Sequence, residues 1–96
     1  MLVLITYDVN TETVEGRRRL QKISKTCVNY GRRVQNSVFE CDLDSAQLVM
    51  VRDKLLKIIE LKKDSLRIYS LGNNYRNKVE HYGTKESFDV NDPLII

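Results

Sequence analysis

The 96-residue chain has few of the features that membrane spans and export signals require. Its longest purely apolar run at the amino terminus covers only residues 2–5, far short of the 20 or so residues that cross a bilayer. No basic leader with a small-residue cleavage site precedes it, so we expect no signal peptide. The sequence therefore predicts a cytoplasmic protein that makes no membrane contact.

Cysteine, histidine and glycine are also scarce, and this scarcity excludes several kinds of site. Two cysteines, Cys27 and Cys41, cannot build a disulfide framework, and they lack the spacing of a metal or redox motif. We interpret both as buried thiols that pack like small apolar side chains. His81 has no second imidazole to complete a zinc site, and no glycine-rich phosphate loop is present.

The charge is mild overall but unevenly distributed. The chain carries a net charge of +3, with 42% hydrophobic and 30% charged residues, which is typical of one small globular domain. Residues 16–33, however, contain seven basic side chains and no acid, so the remainder is net negative. Such asymmetry favours a polyanionic partner.

The first half of the chain predicts a strand and a basic helix. Residues 2–9 form a nearly continuous apolar run, which is typical of a central strand buried on both faces. Capping residues at 10–13 then begin a helix that we expect to end at Gly31. The apolar face of this helix carries Leu20, Ile23, Cys27 and Tyr30.

The second half predicts further strands around another helix. Residues 33–42 are extended, either as a hairpin that turns at Asn36-Ser37 or as one bulged strand. Asp44 with Gln47 resembles a capping box, which begins the second helix. We expect a broad apolar stripe on that helix, formed by Leu48, Val49, Met50, Val51, Leu55, Leu56, Ile58 and Ile59. Residues 66–71 predict another strand, and residues 79–82 a short one.

This order of elements predicts an α+β, ferredoxin-like βαββαβ sandwich with helices on one face of the sheet. We expect the domain to cover residues 1–83 and a tail to cover residues 84–96. The three terminal aliphatic residues 94–96 either dock on their own domain or add a strand to a second copy. Because the other face of the sheet needs a cover, we predict a homodimer that associates sheet to sheet.

Asp8 is the most informative candidate residue. It stands at the carboxyl end of an apolar strand, directly before the turn into a helix, where ligands collect in open sheets. Position alone also fits a carboxylate that braces the following loop. The nearby Arg17, Arg18 and Arg19 favour a phosphate ligand, because guanidinium groups grip phosphate oxygens and a carboxylate among them can hold a hard cation. Three consecutive arginines span about 200° of a helix, so they cannot all serve one site.

Several short motifs resemble the CRISPR-associated Cas-two family, the small adaptation proteins that accompany the spacer integrase. The resemblance covers residues 1–72 and the ending at 93–96. Its motifs are Tyr7-Asp8-Val9, Gly16-Arg17-Arg18-Arg19-Leu20, Tyr30-Gly31-Arg32-Arg33-Val34-Gln35-Asn36-Ser37-Val38-Phe39-Glu40-Cys41, and Leu66-Arg67-Ile68-Tyr69-Ser70-Leu71-Gly72.

The resemblance implies a homodimer with facing sheets, a last strand that crosses to the other protomer, and a hairpin at Asn36. It implies a metal-dependent endonuclease that acts on double-stranded DNA or single-stranded RNA, and a DNA-binding role beside the spacer integrase. One Asp8 from each chain would hold Mg²⁺, or Mn²⁺ in its place. The candidate nucleic-acid-binding residues are Tyr7, Arg17, Arg18, Arg19, Arg33 and Phe39. Asn36 departs from the family, which often has tyrosine at that position.

Three other functions compete with the nuclease. A non-catalytic DNA-binding scaffold of the integrase complex needs the basic residues but not Asp8. A sheet-surface RNA binder needs exposed aromatic residues in a basic strand. The strand Ser37-Val38-Phe39-Glu40 has one aromatic residue and no glycine or basic residue. A ligand-sensing regulator rests on the fold alone.

Overall fold

The computed structural model describes residues 1–72 and Tyr82. Within this part, four strands and two helices follow one another in the order β1-α1-β2-β3-α2-β4. Their bounds are Leu2–Asp8 for β1, Val14–Val28 for α1, Gly31–Gln35 for β2, Val38–Asp42 for β3, Ser45–Ile58 for α2 and Ser65–Gly72 for β4. The predicted strand at residues 79–82 (Tyr82 apart) and the predicted tail at 84–96 lie outside the described residues.

The four strands form one antiparallel sheet in the order β2-β3-β1-β4. The apolar strand β1 is central, as its sequence predicts, and pairs with β3 on one side and β4 on the other. This strand order and the two crossing helices are those of a ferredoxin-like sandwich, which confirms the predicted fold class.

One face of the sheet packs against both helices and forms the core. The side chains of Val3 and Ile5 on β1 meet Ile23 on α1 and Val51 and Leu55 on α2, and all five are fully buried. On the opposite face of β1, Leu2 is fully buried, whereas Leu4 and Thr6 are only half-buried in the single chain. The prediction that β1 is buried on both faces therefore holds fully for one face and only at Leu2 for the other. We call this second face the open face; the strand register also places on it Asp8, Val38, Glu40, Arg67 and Tyr69.

Local hydrogen bonds begin both helices. The hydroxyl of Thr13 accepts a hydrogen bond from the Gly16 amide at 3.0 Å and caps α1. The Asp44 carboxylate accepts from the Gln47 amide at 2.7 Å, and the Gln47 side chain accepts from the Asp44 amide at 3.0 Å. This confirms the predicted capping box of α2.

The segment after α1 differs from the prediction in one respect and resolves an open alternative. The helix ends at Val28 with Asn29 as its cap, and Gly31 does not terminate it but opens β2. A side chain at Gly31 would collide with the Glu40 carbonyl and the Cys41 sulfur, so close strand packing requires glycine here. Strands β2 and β3 pair antiparallel across Asn36-Ser37, which confirms the hairpin rather than the bulged single strand.

The apolar stripe of α2 is narrower than predicted. Leu48, Val51 and Leu55 are buried, but Val49, Met50 and Leu56 are exposed. The expectation that these three residues widen the core stripe is wrong for the isolated chain, because only one side of α2 faces the sheet.

Candidate functional site

Asp8 lies at the exposed end of β1, where the sequence places it. It pairs with Ser65 of β4, and its neighbour Tyr7 points into the core, so the alternation of strand side chains puts Asp8 on the open face. Within residues 1–72, no hydrogen bond or ion pair engages the Asp8 carboxylate. This carboxylate is therefore accessible to a ligand, and it does not brace the following loop.

One chain alone does not provide a complete metal site. No group of three or more carboxylate, histidine or cysteine side chains that could hold a metal occurs among the described residues. Magnesium, however, is often held by one or two carboxylates, with waters and substrate phosphates filling the remaining positions. An exposed Asp8 fits such a site as a partial ligand, provided a second donor comes from elsewhere.

Arg17 and Arg18 are exposed on the first turns of α1. The Arg17 guanidinium donates to the carbonyl of Thr11 at 3.1 Å, which holds it against the loop that follows β1. Because α1 packs on the face of the sheet opposite Asp8, the arginines and the carboxylate of one chain do not form a single cluster.

Arg19 does not belong to the exposed arginine cluster. Its Nε and Nη2 atoms donate to the two carboxylate oxygens of Asp64, at 2.8 Å and 3.2 Å. Its side chain retains only 16% of its accessible surface, and the hydrogen bond from Arg19 to Asp64 raises the pKa of the guanidinium. An internal carboxylate occupies both ends of its guanidinium in the single chain, and nucleic-acid binding by Arg19 stays a prediction.

Asp64 is a structural residue that the sequence analysis missed. Its side chain is 0% exposed and also accepts the backbone amides of Asn10 at 3.0 Å and Glu60 at 2.9 Å. Burial by itself raises the pKa of Asp64, but the hydrogen bonds from Arg19, Glu60 and Asn10 outweigh it and lower the pKa. One carboxylate thus ties α1 to the loops that follow β1 and α2. Nothing local in the sequence marks this role, because the partners are as many as 54 residues away.

Arg33 and Phe39 lie together, but only Arg33 reaches the surface. Phe39 is 0% exposed, and the Arg33 guanidinium lies 5.2 Å from the centre of its ring. Arg33 also donates to the Ser24 hydroxyl on α1. No face of Phe39 is free to stack on a base in the single chain, and nucleic-acid binding by Phe39 stays a prediction. Phe39 supports Arg33 from below.

Tyr7 is likewise part of the core. It is 5% exposed, and its ring centre lies 6.2 Å from that of Phe39. Its hydroxyl lies 3.5 Å from the carbonyl of Asn36 in the hairpin turn. Burial raises the pKa of Tyr7, and a hydrogen bond with Ser24 offsets part of that effect. Tyr7, Arg33 and Phe39 therefore form one unit between the sheet and α1.

Comparison with known proteins places this arrangement in a family. The family described as CRISPR associated protein Cas2 matches residues 1–79. A protein of Halalkalibacterium halodurans named CRISPR-associated endonuclease Cas2 is 61% identical over 95 residues, which cover 99% of each chain. A protein of Chlorobaculum tepidum named CRISPR-associated endoribonuclease Cas2 is 60% identical over 96 residues and covers 100% of both chains.

Solved structures agree with the sequence comparisons. The crystal structure of Streptococcus pyogenes Cas2 at pH 6.5 superposes with a TM-score of 0.75 at 54% sequence identity. It covers 86% of this chain and 100% of the other. A second crystal structure, described as that of cas2, gives a TM-score of 0.68 at 32% identity, and covers 90% of this chain and 88% of the other.

The fold and its charge pattern define a small ferredoxin-like protein with a basic helix and an exposed carboxylate at the end of its central strand. The chain belongs to the Cas2 family of CRISPR-associated proteins. This confirms the resemblance found in its motifs. Within residues 1–72, no helix is both long enough and apolar enough to span a membrane.

Proposed function

We propose that this protein is a metal-dependent endonuclease of CRISPR adaptation, which hydrolyses phosphodiester bonds in double-stranded DNA or single-stranded RNA. The observation that carries the proposal is the exposed carboxylate of Asp8 on the open face, engaged by no side chain in residues 1–72. The names of the two relatives above, one an endonuclease and one an endoribonuclease, support this class of activity.

The active form in this proposal is a homodimer. The open face presents Leu4, Thr6, Val38 and Tyr69, which form a partly apolar surface. Its exposure to water in the isolated chain is unfavourable in free energy. A second copy stacked on this face hides these side chains and brings in a second Asp8. Two carboxylates close together repel each other, and a divalent cation between them relieves that repulsion.

The division of labour among the side chains follows from their positions. Asp8 of each chain holds Mg²⁺ or Mn²⁺, which when bound acidifies water and neutralises phosphate charge. Arg17 and Arg18 bind backbone phosphates outside the site, because both are exposed and basic. Arg33 adds a third phosphate contact, from a position that Ser24 and Phe39 fix.

The test is Asp8→Asn, compared with Asp53→Asn as a matched control on the exposed side of α2. We expect Asp8→Asn to abolish Mg²⁺-dependent cleavage of a labelled duplex and of a labelled single-stranded RNA, while gel-shift affinity survives. Asp53→Asn should cleave like the wild type. Cleavage that persists in repurified Asp8→Asn protein would refute the assignment and point to a contaminating nuclease.

A second candidate function is a non-catalytic scaffold that clamps DNA for the CRISPR spacer integrase. The basic run of residues 16–33 favours it, since Arg17 and Arg18 on α1 and Arg33 on β2 are exposed. DNA affinity should then fall steeply with salt, with a log–log slope of about −0.9 per phosphate contacted.

The two functions are separated by a double variant. Arg17→Gln with Arg18→Gln should make the salt slope shallower by about 1.8 if each contacts one phosphate. Arg52→Gln on α2 serves as the control and should leave the slope unchanged. If spacer acquisition in cells survives Asp8→Asn but fails in the double arginine variant, the scaffold is the function that matters.

A further inference from the structure

A cleft of about 520 Å³ opens between α1 and the β2–β3 hairpin. One wall is formed by Leu20, Ser24 and Lys25 of α1, and the other by Arg33 and Asn36 of the hairpin. Its size falls within the range of about 300–1,000 Å³ of sites that hold small molecules. It lies on the helix side of the sheet, away from the open face that carries Asp8.

All charged side chains that line the cleft are positive. Lys25 and Arg33 both border it, and no acidic side chain is among its lining residues. A cleft with low-dielectric walls and two cations concentrates the field and attracts anions. The ligand that fits this charge carries a phosphate group.

Arg33 is positioned in advance to receive such a group. Its guanidinium lies over the buried Phe39 ring at 5.2 Å and donates one hydrogen bond to Ser24. A guanidinium has five N–H donors. Within residues 1–72, Ser24 is the one acceptor of a hydrogen bond from the Arg33 guanidinium. The remaining donors suit a phosphate, and little side-chain freedom is left to lose on binding.

The rest of the cleft suits a planar base. The half-buried Leu20 contributes most of the apolar surface, and Tyr7, which is 5% exposed, adds only an edge. Around it, Gln21, Asn36 and Ser37 supply amide and hydroxyl groups that can donate and accept hydrogen bonds.

We propose that this cleft binds a single nucleotide, with its phosphate between Lys25 and Arg33 and its base against Leu20 and the exposed edge of Tyr7. The nucleotide is either a free nucleoside monophosphate or the 5′-phosphorylated end of a strand. The site is separate from the Asp8 carboxylate and shares Arg33 with the phosphate contacts of the proposed function, so it goes beyond the nuclease function and does not depend on Asp8.

Calorimetric titration of the full chain with AMP and dAMP tests the proposal. Inorganic phosphate probes the phosphate position alone, and adenosine probes the base position alone. We expect the nucleotide to bind about tenfold more tightly than inorganic phosphate, because the base also covers the apolar surface of Leu20. Lys25→Gln should weaken nucleotide binding at least about fivefold. Lys57→Gln, an exposed lysine on α2 outside the cleft, should change it less than about twofold.

Two further comparisons decide the source and the independence of the site. The cleft binds strand ends if a short oligonucleotide with a 5′-phosphate competes with AMP and the same oligonucleotide with a 5′-hydroxyl does not. It binds free nucleotides if neither oligonucleotide competes. Asp8→Asn should bind AMP like the wild type, so loss of cleavage leaves this inference intact. Equal weakening by Lys25→Gln and Lys57→Gln, or binding no tighter than phosphate, overturns it.

Discussion

Replacement of Asp64 by asparagine should destabilise the fold strongly, because this one carboxylate accepts four hydrogen bonds. Two come from Arg19 at 2.8 Å and 3.2 Å, and two from the backbone amides of Asn10 and Glu60. Asparagine keeps one acceptor oxygen and directs an NH₂ group at the other pair of donors, so one N–H of the Arg19 fork and one backbone amide lose their acceptor. Hydrogen bonds to a charged group contribute about 1.5–3 kcal/mol each, so we expect a loss of about 2–4 kcal/mol.

Urea unfolding followed by circular dichroism measures this loss directly. In a chain of this size, 1 kcal/mol shifts the melting temperature by about 4–8 °C, so Tm should fall by about 10–25 °C. Asp53→Asn, which removes an exposed carboxylate on α2, should stay within about 0.5 kcal/mol of the wild type. If Asp64→Asn also stays within about 0.5 kcal/mol, the account of Asp64 is refuted.

The same carboxylate predicts a pH dependence of stability. The folded pKa of Asp64 lies below its unfolded value, so its contribution is present above the unfolded pKa and is lost as the pH falls through the folded pKa. The wild type should therefore lose stability at acid pH more steeply than Asp64→Asn does. Parallel stability curves for the two proteins below the ordinary carboxyl pKa would contradict this.

Two smaller predictions concern the packing of β2 and the thiols. Gly31→Ala should cost about 1–3 kcal/mol by urea unfolding, because the added methyl collides with the Glu40 carbonyl and the Cys41 sulfur; a neutral effect would show that β2 adjusts freely. Burial raises the pKa of Cys27 to about 11 and of Cys41 to about 12. Both thiols should therefore resist a thiol reagent at pH 8 in the native protein and react within seconds in urea, whereas rapid native labelling would contradict their burial.

The fold was largely predictable because its signals are local. The apolar run of β1 marks the central strand, and Asp44 with Gln47 marks the start of α2 within four residues of chain. The sequence does not distinguish a hairpin at Asn36-Ser37 from one bulged strand, because both place the same side chains in extended backbone. Gly31 was assigned to the wrong element because a glycine after a helix resembles a cap, and the strand that crowds it is distant in sequence.

The site was less predictable because its contacts are long-range. Arg19 reads like its neighbours Arg17 and Arg18, and only the fold brings Asp64, 45 residues later, to its guanidinium. Phe39 reads as an exposed strand aromatic among polar residues, whereas the sheet turns it into the core. Asp8 was located correctly at a strand end, but its use as a ligand stays a prediction.

The most direct test of the central claim is a crystal structure of the protein grown with Mn²⁺, with anomalous scattering used to locate the ion. We predict one peak on the axis that relates two protomers, within direct coordination distance of a carboxylate oxygen of each Asp8. Crystals of Asp8→Asn grown in the same way should lack the peak. A wild-type structure in which the two Asp8 side chains lie on opposite flanks of the assembly, or in which no ion lies between them, would contradict the account.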